Sequence, residues 1–217
     1  MKLAVFDIDG TLTANHSLEY AFVGFLFRKK PWLVAMQLWR WPTTYLSLRG
    51  KDFAIYRNKS YLKGFTEAQL TALVEEFAKT LPAQLSPFSI DLFTAVKAQP
   101  ETEIMLLSGT LEPLAAALAK HLGITRYVAA ALEMKDGTYT GRAIGIFPRG
   151  QSKVTALENY LTLHHLHYEK TSAYADHSGD QYLLAHVDEA HMVNPDATLR
   201  RYGLARSWRL EEPSRTK

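Results

Sequence analysis

Short apolar runs alternate with longer stretches of helical period along this chain, and their order predicts the fold. Leu3-Ala4-Val5-Phe6 is an apolar run that stops at Asp7, and Gly10 follows as a turn. A buried strand is therefore expected to end where two carboxylates, Asp7 and Asp9, emerge. Residues 17–48 are aromatic and apolar without a strand signal, and TEAQLTALVEEFAKT at 66–80 carries a clear helical period with Thr66 placed as N-cap. A helix over 88–99 leads into EIMLLSG at 103–109, which reads as a buried strand ending in Ser-Gly. TLEPLAAALAKHLG reads as a helix capped by Thr110 and stopped by Gly123. A short strand is expected near Tyr127-Val128-Ala129, then a hairpin over LEMKDGTYTGRAIG with its turn at Asp136-Gly137. SKVTALENYLTLHHL is helical in pattern, SAYAD is a strand reaching another acid, and HMVN is a last short strand before Pro195.

Strands alternating with helices predict an α/β fold with a doubly wound, Rossmann-like parallel sheet. The segment 13–86 breaks the alternation and is expected to form a helical cap domain inserted after the first strand. The α/β core then comprises residues 1–12 and 87–210, with 211–217, ending in EEPSRTK, as a frayed tail.

Composition narrows the class. Of 217 residues, 47% are hydrophobic and 22% charged, the balance of a folded globular protein, so disorder is excluded for most of the chain. The absence of cysteine excludes disulfides, thiolate catalysis and cysteine-based zinc sites. The net charge of +3 comes from Lys and Arg spread along the chain, so no nucleic-acid partner is expected. Arg28-Lys29-Lys30, the basic triplet, reads as a solvated helix end. The first apolar run goes straight into Asp7, which does not resemble a secretory signal, and a cytoplasmic location is expected.

Four sites then fall where strands or helices begin or end: Asp7 with Asp9, Ser108-Gly109-Thr110, Lys153, and Asp176 with Asp180 in YADHSGD. Singly they are ordinary turns, caps and an exposed lysine. Together, and in this order, they resemble the haloacid dehalogenase superfamily of phosphohydrolases. Its motifs run D-x-D-G-T, a strand ending in Ser or Thr, a Lys, and an acidic strand end, and the resemblance covers nearly the whole chain.

The physical logic agrees. A phosphate monoester is dianionic, so an attacking carboxylate needs a cation and in-line positioning. Asp7, Asp9 and Asp176 supply hard oxygen ligands suited to Mg²⁺, and Asp7 would be the nucleophile that forms an aspartyl-phosphate. The resemblance implies that Asp9 meets the metal only through its backbone carbonyl, leaving its side chain as general acid and then base, with a raised pKa. Ser108, Gly109 and the backbone N–H groups after them would grip phosphoryl oxygens, and Lys153 would neutralise them together with Asp7. Asp180 would join the metal site by orienting a metal-bound water. Thr11 is grouped with the phosphate-binding residues and, by resemblance, braces the loop. Ala175 stands where many relatives have Gly, and His177 follows the fourth-motif acid at the surface.

The insertion resembles the cap of the phosphoserine-phosphatase-like branch, subfamily IB, which closes over the site and excludes water. VNPDATLRRYG resembles that branch's C-terminal pattern. Where phosphoserine phosphatases place a Glu nine residues after the nucleophile to hold the substrate amine, this chain has His16, which argues against phosphoserine; Glu19, one turn on, reads first as a cap-surface carboxylate, with a substitute for that Glu as the alternative. Trp32, Trp39 and Trp41 with Arg28, Lys29, Lys30 and Arg40 read first as the cap's own core or a dimer contact. The alternative is a helix lying in a membrane interface, as in the similar phosphatidylglycerophosphate phosphatases, with the protein peripheral to the inner face of the membrane. Pro31, Arg40 and Pro42 interrupt it too often for a span. HHLH at 164–167 reads as a solvated helix end and not a metal site.

The expected function is thus a Mg²⁺-dependent phosphatase acting on a small phosphorylated metabolite. The alternatives are a membrane-surface lipid phosphate phosphatase, a phosphotransferase and a non-catalytic module that binds phospho-ligands. No residue pattern selects an oligomeric state.

Overall fold

The structure, a computed structural model, describes residues 1–14, 17–31 and 57–213. Lys2–Phe6 (β1) lies at the centre of a seven-stranded sheet. Thr102–Leu111 (β2), Arg126–Lys135 (β3) and Thr138–Ile144 (β4) extend it on one side, and Lys170–Ala175 (β5), Glu189–Val193 (β6) and Arg209–Glu211 (β7) on the other, in the order β4-β3-β2-β1-β5-β6-β7. Every neighbouring pair is parallel except the β3–β4 hairpin. The doubly wound parallel sheet expected from the alternation is present.

The described helices are Leu18–Lys29 (α1), Glu67–Ala78 (α2), Leu81–Gln84 (α3), Pro87–Lys97 (α4), Glu112–Leu122 (α5), Gln151–Leu163 (α6), Gln181–His186 (α7) and Ala197–Leu204 (α8). Residues 3–6 are buried on both faces because the period of two sends alternate side chains to opposite cores. Leu3 and Val5 pack with Leu157 of α6, Leu183 and Leu184 of α7 and Leu199 of α8. Ala4 and Phe6 belong to the other core, with Phe93 of α4 and Leu114 and Leu118 of α5. That second core continues without a break into Phe22 and Phe25 of α1 and Leu70 and Phe77 of α2. The Phe22 and Phe77 rings meet edge-on at 5.3 Å, and Phe25 and Phe77 at 5.7 Å.

Local signals act as expected at several points. Thr66 and Gln69 form a reciprocal capping box at the start of α2. Gly123 ends α5 with φ +63°, the left-handed conformation that glycine adopts without a Cβ penalty. Asp136 and Gly137 both take positive φ, as a two-residue hairpin turn requires. Arg28 and Lys29 are exposed at the end of α1, with Lys29 paired to Glu76 of α2. His164 and His167 are exposed at and beyond the end of α6.

Three local expectations are corrected. β2 runs on to Leu111 and meets α5 directly, so Thr110 is not the N-cap; Leu111 occupies that position without a side-chain bond. The short strand near 127–129 and the first arm of the hairpin are one strand, β3, which leaves β2 to turn with β4. The chain also returns to the sheet after HMVN. Glu211, expected in a frayed tail, pairs with Val193 in β7, and Glu212 pairs with Arg200. Arg-Leu-Glu carries no periodic signal because β7 is a short, charged edge strand.

The segment between β1 and α4 leaves and re-enters the core at one place. Thr13 bridges Leu85, Ala14 N donates to Gln84 O at 2.9 Å, and Ser86 N donates to Leu12 O at 2.9 Å. The β3–β4 hairpin grips this segment: Lys59 N donates to Gly141 O, and Tyr139 N to Phe65 O, both at 2.8 Å. Among the described residues no helix is long and apolar enough to cross a membrane. His16 and the tryptophan-rich stretch from Trp32 onward lie outside the described residues.

Candidate active site

Strand order reverses between β1 and β5, and in an open α/β sheet the crevice beyond the carboxyl ends of such strands is where ligands bind. Asp7 follows β1 and Asp176 follows β5 at this point, and Asp7 N donates to Tyr174 O at 3.0 Å across the two strands. A short 3-10 turn at Ser178–Asp180 then brings Asp180 back towards the pair. Carboxylate oxygens of Asp7, Asp176 and Asp180 lie within 4.8 Å of one another, the metal-competent acidic cluster found among the described residues. Three hard oxygen donors at that spacing fit a divalent cation such as Mg²⁺.

Lys153, in the first turn of α6, is buried with Asp7 and Asp180, donates to Asp7 Oδ1 at 2.5 Å and contacts Asp180 Oδ1 at 2.8 Å. Burial works against its charge, but the carboxylates of Asp180 and Asp7 more than offset that and push its pKa up. One ammonium cannot balance three carboxylates. Burial, assisted by repulsion from Asp180, Asp176 and Asp9 and opposed by Lys153, pushes Asp7 up to about 8 in the metal-free site. Burial likewise pushes Asp176 up to about 6, against the hydrogen bond from Thr11. The site is built with an excess of negative charge, which a divalent cation relieves.

Thr11 is fully buried and its hydroxyl donates to Asp176 Oδ1 at 2.9 Å, so its place in the structure is against a cluster carboxylate. Gly10 has φ +84°, and a Cβ there would sit 2.2 Å from Asp176 Oδ2. Asp9 points elsewhere. Its Oδ1 accepts from Leu18 N at 2.7 Å at the start of α1, and its Oδ2 accepts from Thr110 Oγ1 at 2.8 Å and Ser17 Oγ at 3.3 Å. Burial raises the Asp9 pKa against these donors, the direction expected of it.

Ser108 is buried near the end of β2. From Leu107↔Val128 to Leu111↔Ala130 the β2 chain advances four residues while β3 advances two, so Ser108, Gly109 and Thr110 fall in an irregularity of the ladder. Such a bulge leaves backbone N–H groups outside the sheet's pairing. Gly109 leaves room for Phe147, whose ring would be 3.0 Å from a Cβ.

Sequence reasoning missed three groups here. Thr110, taken for a helix cap, bonds Asp9. Asp196 caps α8 through Leu199 N, accepts from Ser178 N at 2.7 Å and donates its own N–H to Asp176 O at 2.8 Å, which braces the turn that carries Asp180; its signal was the capping residue after Asn194-Pro195. Glu19 is not at the surface: Lys59 Nζ lies 2.6 Å from both of its carboxylate oxygens and Tyr61 OH donates to it at 2.6 Å. Lys59 also lies over the Phe147 ring at 5.8 Å, and Glu19 adds to the negative potential at Asp9. This trio, with Lys59 buried and Glu19 and Tyr61 half-buried, lies on the Asp9 side of the site. His177 is exposed, and its Nδ1 accepts from Gly179 N.

Known proteins resemble this chain in sequence and fold. A phosphoserine phosphatase, SerB1, of Mycobacterium tuberculosis is 28% identical over 96% of this chain and 70% of its own length. A histidinol-phosphatase of Neisseria meningitidis is 28% identical over 95% of this chain and 96% of its own. A Bordetella pertussis protein of unknown function has the same fold with a TM-score of 0.81, at 25% identity, covering 96% of this chain and 97% of that one. A phospho-aspartyl intermediate analogue of phosphoserine phosphatase aligns at TM-score 0.58 over 92% of this chain and 90% of that one; at 16% identity it speaks for the fold. Residues 4–185, which carry all four motifs, match the haloacid dehalogenase-like hydrolases, and the chain belongs to that family.

Proposed function

We propose that this protein is a Mg²⁺-dependent phosphatase that hydrolyses a small phosphomonoester through an aspartyl-phosphate on Asp7. The observation that carries this reading is the arrangement of Lys153 between Asp7 and Asp180, with Asp176 beside them, while the Asp9 carboxylate is held apart from that cluster by Leu18 N, Ser17 and Thr110. The carboxylates of Asp7, Asp176 and Asp180 would hold the cation, with the Asp9 backbone carbonyl as a further donor. Once bound it would offset the charge of the phosphoryl oxygens.

In the first step a carboxylate oxygen of Asp7 attacks phosphorus, the ester P–O bond breaks, and Asp9 gives its proton to the departing oxygen. In the second, a water attacks phosphorus, its proton passes to Asp9, and the bond to Asp7 breaks to release phosphate. Ser108 and the N–H groups of the β2 bulge hold phosphoryl oxygens, and Lys153 neutralises the oxygen that Asp7 retains. Three donors on Asp9 occupy three of about four carboxylate acceptor positions, which leaves one on Oδ1 for the transferred proton.

Residues 13–86 act as the cap in this reading. The paired entry and exit at Thr13 and Leu85 support reading this segment as an insertion between β1 and α4. The leaving group would meet Glu19, Lys59 and Tyr61, a charge-compensated trio. The substrates in the names of the two bacterial relatives favour a small amino-alcohol phosphate, with His16 counting against serine phosphate among them.

The test is release of inorganic phosphate from a nitrophenyl phosphate, with and without Mg²⁺, followed by serine phosphate and histidinol phosphate. Turnover that requires the cation and stops on chelation is expected; a folded protein that hydrolyses no ester at any Mg²⁺ concentration would sink the reading. A second expectation follows from Gly10. Gly10→Ala drives a methyl group into Asp176, and displacing a reacting group by about an ångström costs on the order of a hundredfold in rate. A near-normal rate for that variant would mean that Asp176 is not part of the machinery.

A further inference from the structure

Asp9 takes its hydrogen bonds from two different parts of the chain. Ser17 and Leu18 belong to the inserted segment, whereas Thr110 belongs to β2, the strand that also carries Ser108 and pairs with β1 just before Asp7. Among the described residues, Thr110 is therefore the donor that orients Asp9 from the sheet itself. Its side chain is buried, it caps no helix, and its hydroxyl lies 2.8 Å from Asp9 Oδ2 and 3.2 Å from Ser108 Oγ.

We infer that Thr110 is a positioning residue for the acid that protonates the leaving group, linking Asp9 to the serine that grips the phosphoryl group. This rests on the reading of Asp9 given above. A hydroxyl has one proton and two acceptor positions. When Asp9 is a carboxylate it can only accept, so the Thr110 proton goes to Asp9 and the Ser108–Thr110 contact must be donated by Ser108. Ser108 Oγ in turn accepts from Thr110 N at 3.4 Å. The order Ser108 to Thr110 to Asp9 follows from this count. When a phosphoryl group enters, Ser108 has one proton to redirect to it, and Thr110 keeps its bond to Asp9. The carboxyl thus stays aimed at the ester oxygen while its partner serine is engaged on the same substrate. A valine at 110 keeps the volume and the β-branch but cannot donate, so the carboxyl would lose its fixed rotamer from the sheet side.

A merely structural threonine would affect all esters alike, whereas an acid-positioning one would matter most for poor leaving groups. The experiment measures kcat/KM, which reports the step that expels the leaving group, for aryl phosphates graded from nitrophenyl to unsubstituted phenyl. Wild type, Thr110→Val, Thr110→Ser and Asp9→Asn are compared. Thr110→Val is expected to lose less than about threefold on the nitrophenyl ester and roughly thirtyfold or more on the phenyl ester, a share of the 10²–10⁴ that general acid catalysis contributes. Thr110→Ser should restore the phenyl ester to within about threefold of wild type. An equal loss on both esters, or failure of Ser to rescue a variant with an unchanged unfolding midpoint, overturns the inference. If Asp9→Asn itself shows no steeper dependence on the leaving group, the reading of Asp9 as the acid has failed and the inference falls with it. If Asp9→Asn shows it and Thr110→Val does not, the inference alone is wrong.

Discussion

Phosphate release by Asp7→Asn is expected to fall at least a thousandfold below wild type, the scale on which an enzyme loses rate when the nucleophile of an interdependent set is removed. The amide keeps the shape of the carboxylate and can still accept from Lys153, so packing around β1 is retained. What it lacks is the nucleophilic oxygen. Stability should move the other way in the metal-free protein. Asp7 carries the cost of a carboxylate buried next to three others, and an uncharged amide removes that cost, so the unfolding midpoint near pH 8 should be unchanged or higher. Loss of activity with no loss of stability separates a missing nucleophile from a damaged fold. Metal-dependent turnover within tenfold of wild type in Asp7→Asn would place the chemistry on another residue.

Lys153→Met is expected to have the largest effect on stability. Removing one partner of a buried charged pair typically costs about 3–5 kcal/mol, because the remaining charge is left without compensation. Here two carboxylates, Asp7 and Asp180, lose their shared ammonium at once. The effect has a pH signature whose sign follows from the raised carboxyls. In the metal-free protein Asp7 lies at about 8 and Asp176 at about 6, both above 3.8, the ordinary carboxyl value. Folding then favours the protonated acids, a contribution that is complete below about pH 4 and lost as pH rises through 6 and 8. Metal-free wild type should be less stable at pH 8.5 than at pH 5 as far as these two groups determine it. Lys153→Met should steepen that decline.

Added Mg²⁺ opposes it, since the cation needs the carboxylates ionised, and its stabilisation should grow over the same interval. Unfolding midpoints at three pH values, with and without Mg²⁺, read all of this. A Lys153→Met midpoint that tracks wild type at every pH would show that the lysine does not compensate the cluster.

Residues that declare their role locally were legible. An apolar run stopping at an acid, a Thr-x-x-Gln helix start, an Asp-Gly hairpin turn and a helix closed by glycine each encode a backbone conformation within a few residues, and each is found where expected. The order of elements also follows from sequence, since strands alternating with helices have few ways to pack. β7 was not legible, because three residues with two charges form an edge strand only when a parallel neighbour supplies the pairing. Thr110 looked like a cap because Ser, Thr and Asp before a helix usually are; the bulge in β2 instead turns it towards Asp9.

The sequence by itself determined which chemistry is available: two acids after β1, one serine, one lysine and two further acids, each at the edge of an element. Tertiary structure decided how those groups share their charges and protons. It set Lys153 between Asp7 and Asp180, gave the Thr11 hydroxyl to Asp176, turned Asp9 to the start of α1, and paired Glu19 with Lys59 across 40 residues. The reason is physical. Element formation depends on nearby residues and on period, whereas the pKa of an acid and the partner of a hydroxyl depend on burial and on contacts between strands far apart in the chain.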